Sequence, residues 1–155
     1  MSSRIDLGTL AWELTGWRPD AWRLAEGVTP AGFLRPEIGP LRAKFPGSVQ
    51  RNLRDAGLLP DWNDGLNSRS AEWVEHRHWC FAATLPAGAV PAGATVELHA
   101  ETLDHAGWVV VDGRIAGEFC GALGPVTVDL TAALAPSGPH HLALVFDSPP
   151  DEEGQ

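Results

Sequence analysis

The sequence has no apolar run long enough to cross a bilayer as a helix, and its opening M-S-S-R-I-D-L-G-T-L lacks the continuous hydrophobic stretch of a secretory leader. No membrane partner is expected, and a cytoplasmic location is the default. Cysteine is scarce: Cys80 and Cys120 stand alone, outside any Cys-x-x-Cys spacing, which excludes a disulfide-dense scaffold. A single bridge is arithmetically open, but buried free thiols are the expectation, because cysteine is among the most buried residue types. No repeat of fixed period is visible, and tyrosine is absent although there are 7 tryptophans. Basic residues nearly vanish from the second half. Up to His78, ten basic residues balance ten acidic ones; beyond it Arg114 alone faces ten acids, so the whole net charge of −9 lies there. Such a surface repels phosphate backbones and anionic headgroups, which argues against nucleic acid and membrane surfaces as partners. A neutral ligand such as a sugar is compatible with it.

What is present describes one globular domain. A hydrophobic fraction of 44% with 20% charged residues excludes disorder, and 155 residues suffice for one full core but not two. The 17 glycines and 13 prolines favour many turns between short strands. Trp12, Trp17 and Trp22 open the chain, with Gly16 and Pro19 breaking the run, and Ala21 to Glu26 alternates as a first strand. Residues 27–40 read as a loop, and Leu41, Ala43 and Phe45 as a short strand. Ser48 can cap a helix through about Ala56 with Val49, Leu53 and Ala56 on one face, and Gly57 fits its stop. Residues 58–70 read as loop. From Glu72 onward the pattern is all β: Trp79 and Phe81, then Thr95 to Ala100, then Trp108 to Val111. Asp112-Gly113 joins the last of these to Arg114–Phe119 as a hairpin, and Val126 to Leu130 and Leu142 to Phe146 follow. The expected fold is an all-β antiparallel sandwich or jelly roll with one short helix at 48–56. Its expected organisation is an N-terminal extension over 1–20, the sandwich over 21–148 and a polar tail over 149–155.

Several segments occur in an order that belongs to a known family. They are W-R-L at Trp22, F-P-G-S-V at Phe45, L-R-D-A-G-L at Leu53 and P-D-W-N-D-G-L-N at Pro60. Then come W-V-E-H-R-H-W-C-F at Trp73, L-D-H-A-G-W-V-V-V-D-G at Leu103, V-D-L-T at Val128 and L-A-L-V-F-D-S-P at Leu142. Together they resemble the N-terminal, galactose-binding-like β-sandwich domain of family 2 glycoside hydrolases, in its β-mannosidase branch. Cys80 stands where the family usually has an aromatic, and Asp112-Gly113 replaces the common Asn-Gly. The resemblance implies a domain that supports catalysis while the catalytic carboxylates lie in a (β/α)8 barrel outside this chain. It implies carbohydrate and that barrel as partners, and an isolated domain whose docking face favours self-association.

Candidate sites follow from residue chemistry. A glycosidase needs two carboxylates at a fixed separation. Glu72 with Glu75, and Asp61 with Asp64, lie on segments that fix no such geometry, so solvated charges are expected and no catalytic residue is assigned. Sugars are held by an aromatic face with amide and carboxyl groups around it, and Asp61, Trp62, Asn63 and Asn67 offer that combination. Turn formation by the Asp and Asn residues, with Trp62 as a loop anchor, explains the same residues. Trp22, Trp79 and Trp108 are expected in the core; Trp12, Trp17 and Trp73 are open. His76, His78 and Cys80 alternate on one strand face and could ligate zinc. No fourth ligand is evident, and the resemblance puts the two histidines on an outer or interdomain face, so no metal or cofactor is expected. His140 and His141 point to opposite faces. The expected function is a non-catalytic module of a β-mannosidase-like enzyme. An autonomous carbohydrate-binding module and an interaction module without a sugar role are the alternatives.

Overall fold

The structure, a computed structural model, describes residues 3–18, 36–61, 63–121, 124–135 and 138–149. Eight strands appear there: β1 Trp12–Trp17, β2 Ile38–Ala43, β3 His78–Leu85, β4 Glu97–Ala100, β5 Ala106–Val111, β6 Arg114–Cys120, β7 Val126–Asp129 and β8 His140–Phe146. Six form an antiparallel sheet in the order β2-β1-β3-β8-β5-β6, and β4 pairs with β7 in a second sheet. The expected all-β antiparallel architecture is the observed one.

Period-two alternation builds the core. Leu14 is registered with Phe81, Phe81 with Leu144, and Leu144 with Val109, a row across four strands that is fully buried. Leu98 of β4 and Val128 of β7 close over it with Leu130 and Leu134. Each such side chain contributes about 1.5–3 kcal/mol by leaving water. The opposite face of the large sheet is also covered: Trp17, Cys80, Val110, Ala143 and Val145 form a second buried cluster. Both faces of β3 and β8 are therefore buried, which is why H-W-C-F-A-A and L-A-L-V read as nearly continuous apolar runs.

Two core tryptophans enter their strands by the same device. A 3₁₀ turn at Leu7–Thr9 leaves the Leu7 carbonyl to accept the Trp12 indole N–H at 2.8 Å. A longer 3₁₀ segment at Asn67–Val74 does the same for Trp79 through the Val74 carbonyl, also at 2.8 Å. Among the described residues there is one α-helix, α1 at Val49–Asp55, which begins where the Ser48 hydroxyl accepts from the Arg51 N–H at 3.2 Å. It stops at Gly57 (φ +75°), with Gly57 N–H on the Arg54 carbonyl and Leu58 N–H on the Leu53 carbonyl, both 2.9 Å.

The structure differs from the sequence reading in several places. The expected first strand, Ala21–Glu26 with Trp22, lies outside the described residues. Strand β1 arises instead within the stretch expected to be an extension, and Gly16 sits inside it. A Cβ at Gly16 would come 2.6 Å from Trp79 Cζ3, so the glycine makes room for an indole across the sheet. Strand β2 begins at Ile38, inside the expected loop; as an edge strand it tolerates Pro40. The stretch after Asn67 is 3₁₀ rather than loop and strand, because its turns carry Trp73 and Val74 toward the core. On α1, Ala56 is exposed while Asn52 is buried with Leu53. Asn52 accepts from the Lys44 N–H (2.7 Å) and donates to the carbonyls of Lys44 (3.1 Å) and Ser48 (2.9 Å).

Candidate functional site

The loop singled out for sugar contact is knotted by its own polar groups. Asp61 Oδ1 accepts from the backbone N–H and the side-chain amide of Asn63, both at 3.1 Å, with Arg54 Nη1 3.9 Å away. Asn67 Nδ2 donates to the Asp61 carbonyl at 2.9 Å, and the Asp64 and Asn67 N–H groups close successive turns. The fold thus brings Asp61, Asn63 and Asn67 together on the surface, and turn chemistry accounts for the bonds they make. Trp62 lies outside the described residues.

A cleft of about 570 Å³ lies elsewhere. Three connections line it: Phe45–Gln50, the turn from Val74 to Arg77 at the end of the 3₁₀ segment, and Thr102–His105. The ends of β3 and β8 supply Trp79, Phe81, Phe146 and Asp147. Its floor is aromatic and mutually braced: Phe45 to Phe81 is 5.2 Å between centroids, Phe81 to Phe146 is 6.0 Å, and Trp12 backs Phe45 at 4.4 Å. On the rim, the Arg77 guanidinium lies 4.7 Å over the Trp73 ring and donates to the Trp73 carbonyl at 3.1 Å. Glu37 binds it through two nitrogens at 2.9 and 3.1 Å. Asp147 Oδ1 sits 3.1 Å from Nδ1 of the buried His78. The 61–67 loop is not among the described residues lining this cleft. Sequence reasoning missed it, because F-P-G-S-V, W-V-E-H-R-H-W-C-F and L-D-H-A-G-W lie far apart in the chain and converge only in the fold.

The remaining candidates separate. Glu75 lines the cleft and Glu72 does not. The stripe expected from His76, His78 and Cys80 does not form, because His76 is exposed in the turn before β3 while His78 and Cys80 are buried on its outer side. Among the described residues no three His, Cys, Asp or Glu side chains gather as a metal site, and no helix is long and apolar enough to cross a membrane. Both thiols are free. Burial pushes Cys80 up to about 12, against a weaker lowering by its hydrogen bond with Thr15. Cys120 is exposed, contrary to expectation, because it ends the edge strand β6. Trp12 joins the core, Trp17 joins the outer cluster, and Trp73 and Trp108 are half-buried. His140 Nδ1 lies 2.7 Å from Asp112 Oδ2 in the hairpin turn, and the His141 N–H donates to Asp112 Oδ1 at 2.8 Å. Desolvation pulls the Asp112 carboxyl upward, but the hydrogen bonds to His140 and His141 and the nearby imidazoles outweigh it and hold the group below its usual value.

The family model for the glycosyl hydrolase 2 galactose-binding domain-like family matches residues 22–155. A β-mannosidase B from Emericella nidulans is 34% identical over 102 residues, which is 66% of this chain and 12% of that protein. Among solved structures, a β-D-mannosidase from Dictyoglomus thermophilum superposes with a TM-score of 0.66 at 22% identity, covering 94% of this chain and 16% of the other. A β-glucuronidase from Ruminococcus gnavus superposes with a TM-score of 0.59 at 14% identity, over 89% and 21% of the two chains. The chain spans about 12% of the length of the curated relatives it matches. The family model over residues 22–155, the β-mannosidase relatives and the superposed sandwich lead to one assignment: the chain belongs to the galactose-binding-like N-terminal domain family of glycosyl hydrolase 2, in its β-mannosidase-like branch.

Proposed function

We propose that the chain is the non-catalytic N-terminal module of a β-mannosidase-like glycoside hydrolase, docking on the catalytic barrel with the Asp61–Asn67 loop bordering the substrate entrance. The observation that carries this reading is the extent of the family match, residues 22–155, set against the 12% share of the relatives' length. The surface supports it as well. Leu58 and Leu66 are 50% and 74% exposed on either side of the Asp61 turn, and apolar side chains beside an ordered polar loop suit an interdomain contact. Asp61, Trp62, Asn63 and Asn67 are the residues assigned to the substrate-facing edge.

The test is a chimera. A β-mannosidase B relative stripped of its own N-terminal domain is joined to this chain and assayed on an aryl β-mannoside. Activity above that of the stripped enzyme is expected, with none from the 155-residue chain alone. Turnover by the chain alone, or a chimera no better than the stripped enzyme, refutes the reading. Left uncovered, Leu58 and Leu66 drive self-association, which sedimentation reads and a Leu58→Ser, Leu66→Ser double variant relieves.

A further inference from the structure

We infer that the cleft floored by Phe45, Phe81 and Phe146 is itself a carbohydrate site that takes a mono- or disaccharide. Its volume of about 570 Å³ lies within the range of small-ligand pockets, roughly 300–1,000 Å³. Phe45 and Phe146 are half-buried, so part of each ring is presented to the cleft, and contacts with Trp12, Phe81 and Phe119 hold those rings in place. A braced aromatic floor suits the C–H face of a pyranose, which it meets without side-chain ordering.

The rim decides between ligand classes. Glu75, Asp104 and Asp147 line it with Arg77 and His105, so three carboxylates surround one guanidinium. One carboxylate oxygen of Glu37 bridges Nε and Nη2 of Arg77, so Arg77 offers N–H groups rather than net attraction to an anion. The chain as a whole carries −9, which further disfavours phosphorylated or polyanionic ligands. An apolar floor with carboxylate acceptors and guanidinium donors around it matches a neutral polyhydroxylated ring. The site goes beyond the docking role, and the two fail separately: the chimera reports on docking, direct titration on the cleft.

The experiment is a titration of the isotopically labelled 155-residue chain with mannobiose and, separately, cellobiose, followed in amide correlation spectra. Millimolar sugar is expected to shift amides of residues 45–50, 75–77 and 102–105. Glu75→Gln and Asp104→Asn, both at exposed positions, each remove the charge from one hydrogen bond and are expected to weaken binding about tenfold, while Glu13→Gln, exposed on β1 and outside the cleft, binds like the parent. No shifts with either sugar, shifts confined to 61–67, or rim variants that bind as the parent would each overturn the assignment. Spectra of the variants report folding directly, so lost binding in a folded variant counts for the site.

Discussion

Asn52 is the residue whose replacement tests the architecture most sharply. It is 3% exposed, and its three hydrogen bonds tie α1 to the Lys44–Ser48 connection that forms one wall of the cleft. Truncation in Asn52→Ala removes all three. At about 1 kcal/mol net for each bond, with an added penalty for backbone groups left without partners, the loss should be about 2–4 kcal/mol. For a chain of this size that corresponds to roughly 2–4 °C in Tm per kcal/mol, or a drop of roughly 5–15 °C by calorimetry. Asn52→Asp separates hydrogen bonding from packing. Its volume is unchanged and it can still accept from Lys44 N–H, but a carboxylate oxygen replaces the Nδ2 donor opposite the Lys44 and Ser48 carbonyls. Three acceptors then face one another, so the Asp variant should be less stable at neutral pH than the Ala variant. The pH sign follows: repulsion raises the folded-state pKa of the new carboxyl, so stability recovers as pH falls through that value and the protonated group donates again. An Asp variant as stable as Ala at neutral pH, or an Ala variant losing under about 0.5 kcal/mol, would refute the account.

Gly16→Ala puts a methyl 2.6 Å from Trp79 Cζ3 and should cost about 1–3 kcal/mol in chemical denaturation; an equal cost in a Trp79→Leu background would contradict the contact. An aromatic disulfide reagent should label Cys120 in the folded chain and Cys80 only after unfolding, since burial holds Cys80 near 12; equal labelling rates would show that β3 is not covered on its outer face. Asp112 is depressed in the folded chain, so its stabilisation is present above the unfolded value of about 3.9 and is lost as pH falls through the folded one. Asp112→Asn should therefore flatten the acid limb of the stability profile, and an unchanged limb would remove the hairpin–His140 link from the explanation.

Local chemistry made some of this fold readable and hid the rest. The Asp112-Gly113 hairpin was legible because both turn positions need positive φ, observed at +49° and +78°, and few residue pairs supply it. The Ser48 cap and Gly57 stop were legible for the same local reason. Strand β1 was not: W-E-L-T-G-W looks interrupted, and the explanation for Gly16 is an indole more than sixty residues away. Trp17 was left open and His78, expected on an outer or interdomain face, was not expected to be buried there, because nothing in an alternating pattern tells that the second face of a sheet is also covered. The polar knot of Asp61, Asn63 and Asn67 was visible as turn chemistry. The cleft was invisible as a site, since it exists only where four stretches far apart in sequence meet.

The covered outer face also limits how the module can meet a neighbour. Trp17, Cys80, Val110, Ala143 and Val145 are already withdrawn from water, so among the described residues the middle of the large sheet offers little apolar area beyond the half-buried Ala82 and Trp108. Among the described residues the exposed large hydrophobics are Ile5, Leu58, Leu66 and Ile115, and of these Leu58 and Leu66 flank the Asp61 turn. That turn is fixed by the Asp61 carboxylate and carbonyl rather than by burial. A partner closing over Leu66 would meet a surface already shaped, and little of the contact energy would be spent on ordering it. Under the proposed docking role, a loop closed by its own polar groups would present Leu58 and Leu66 to be covered with little further ordering.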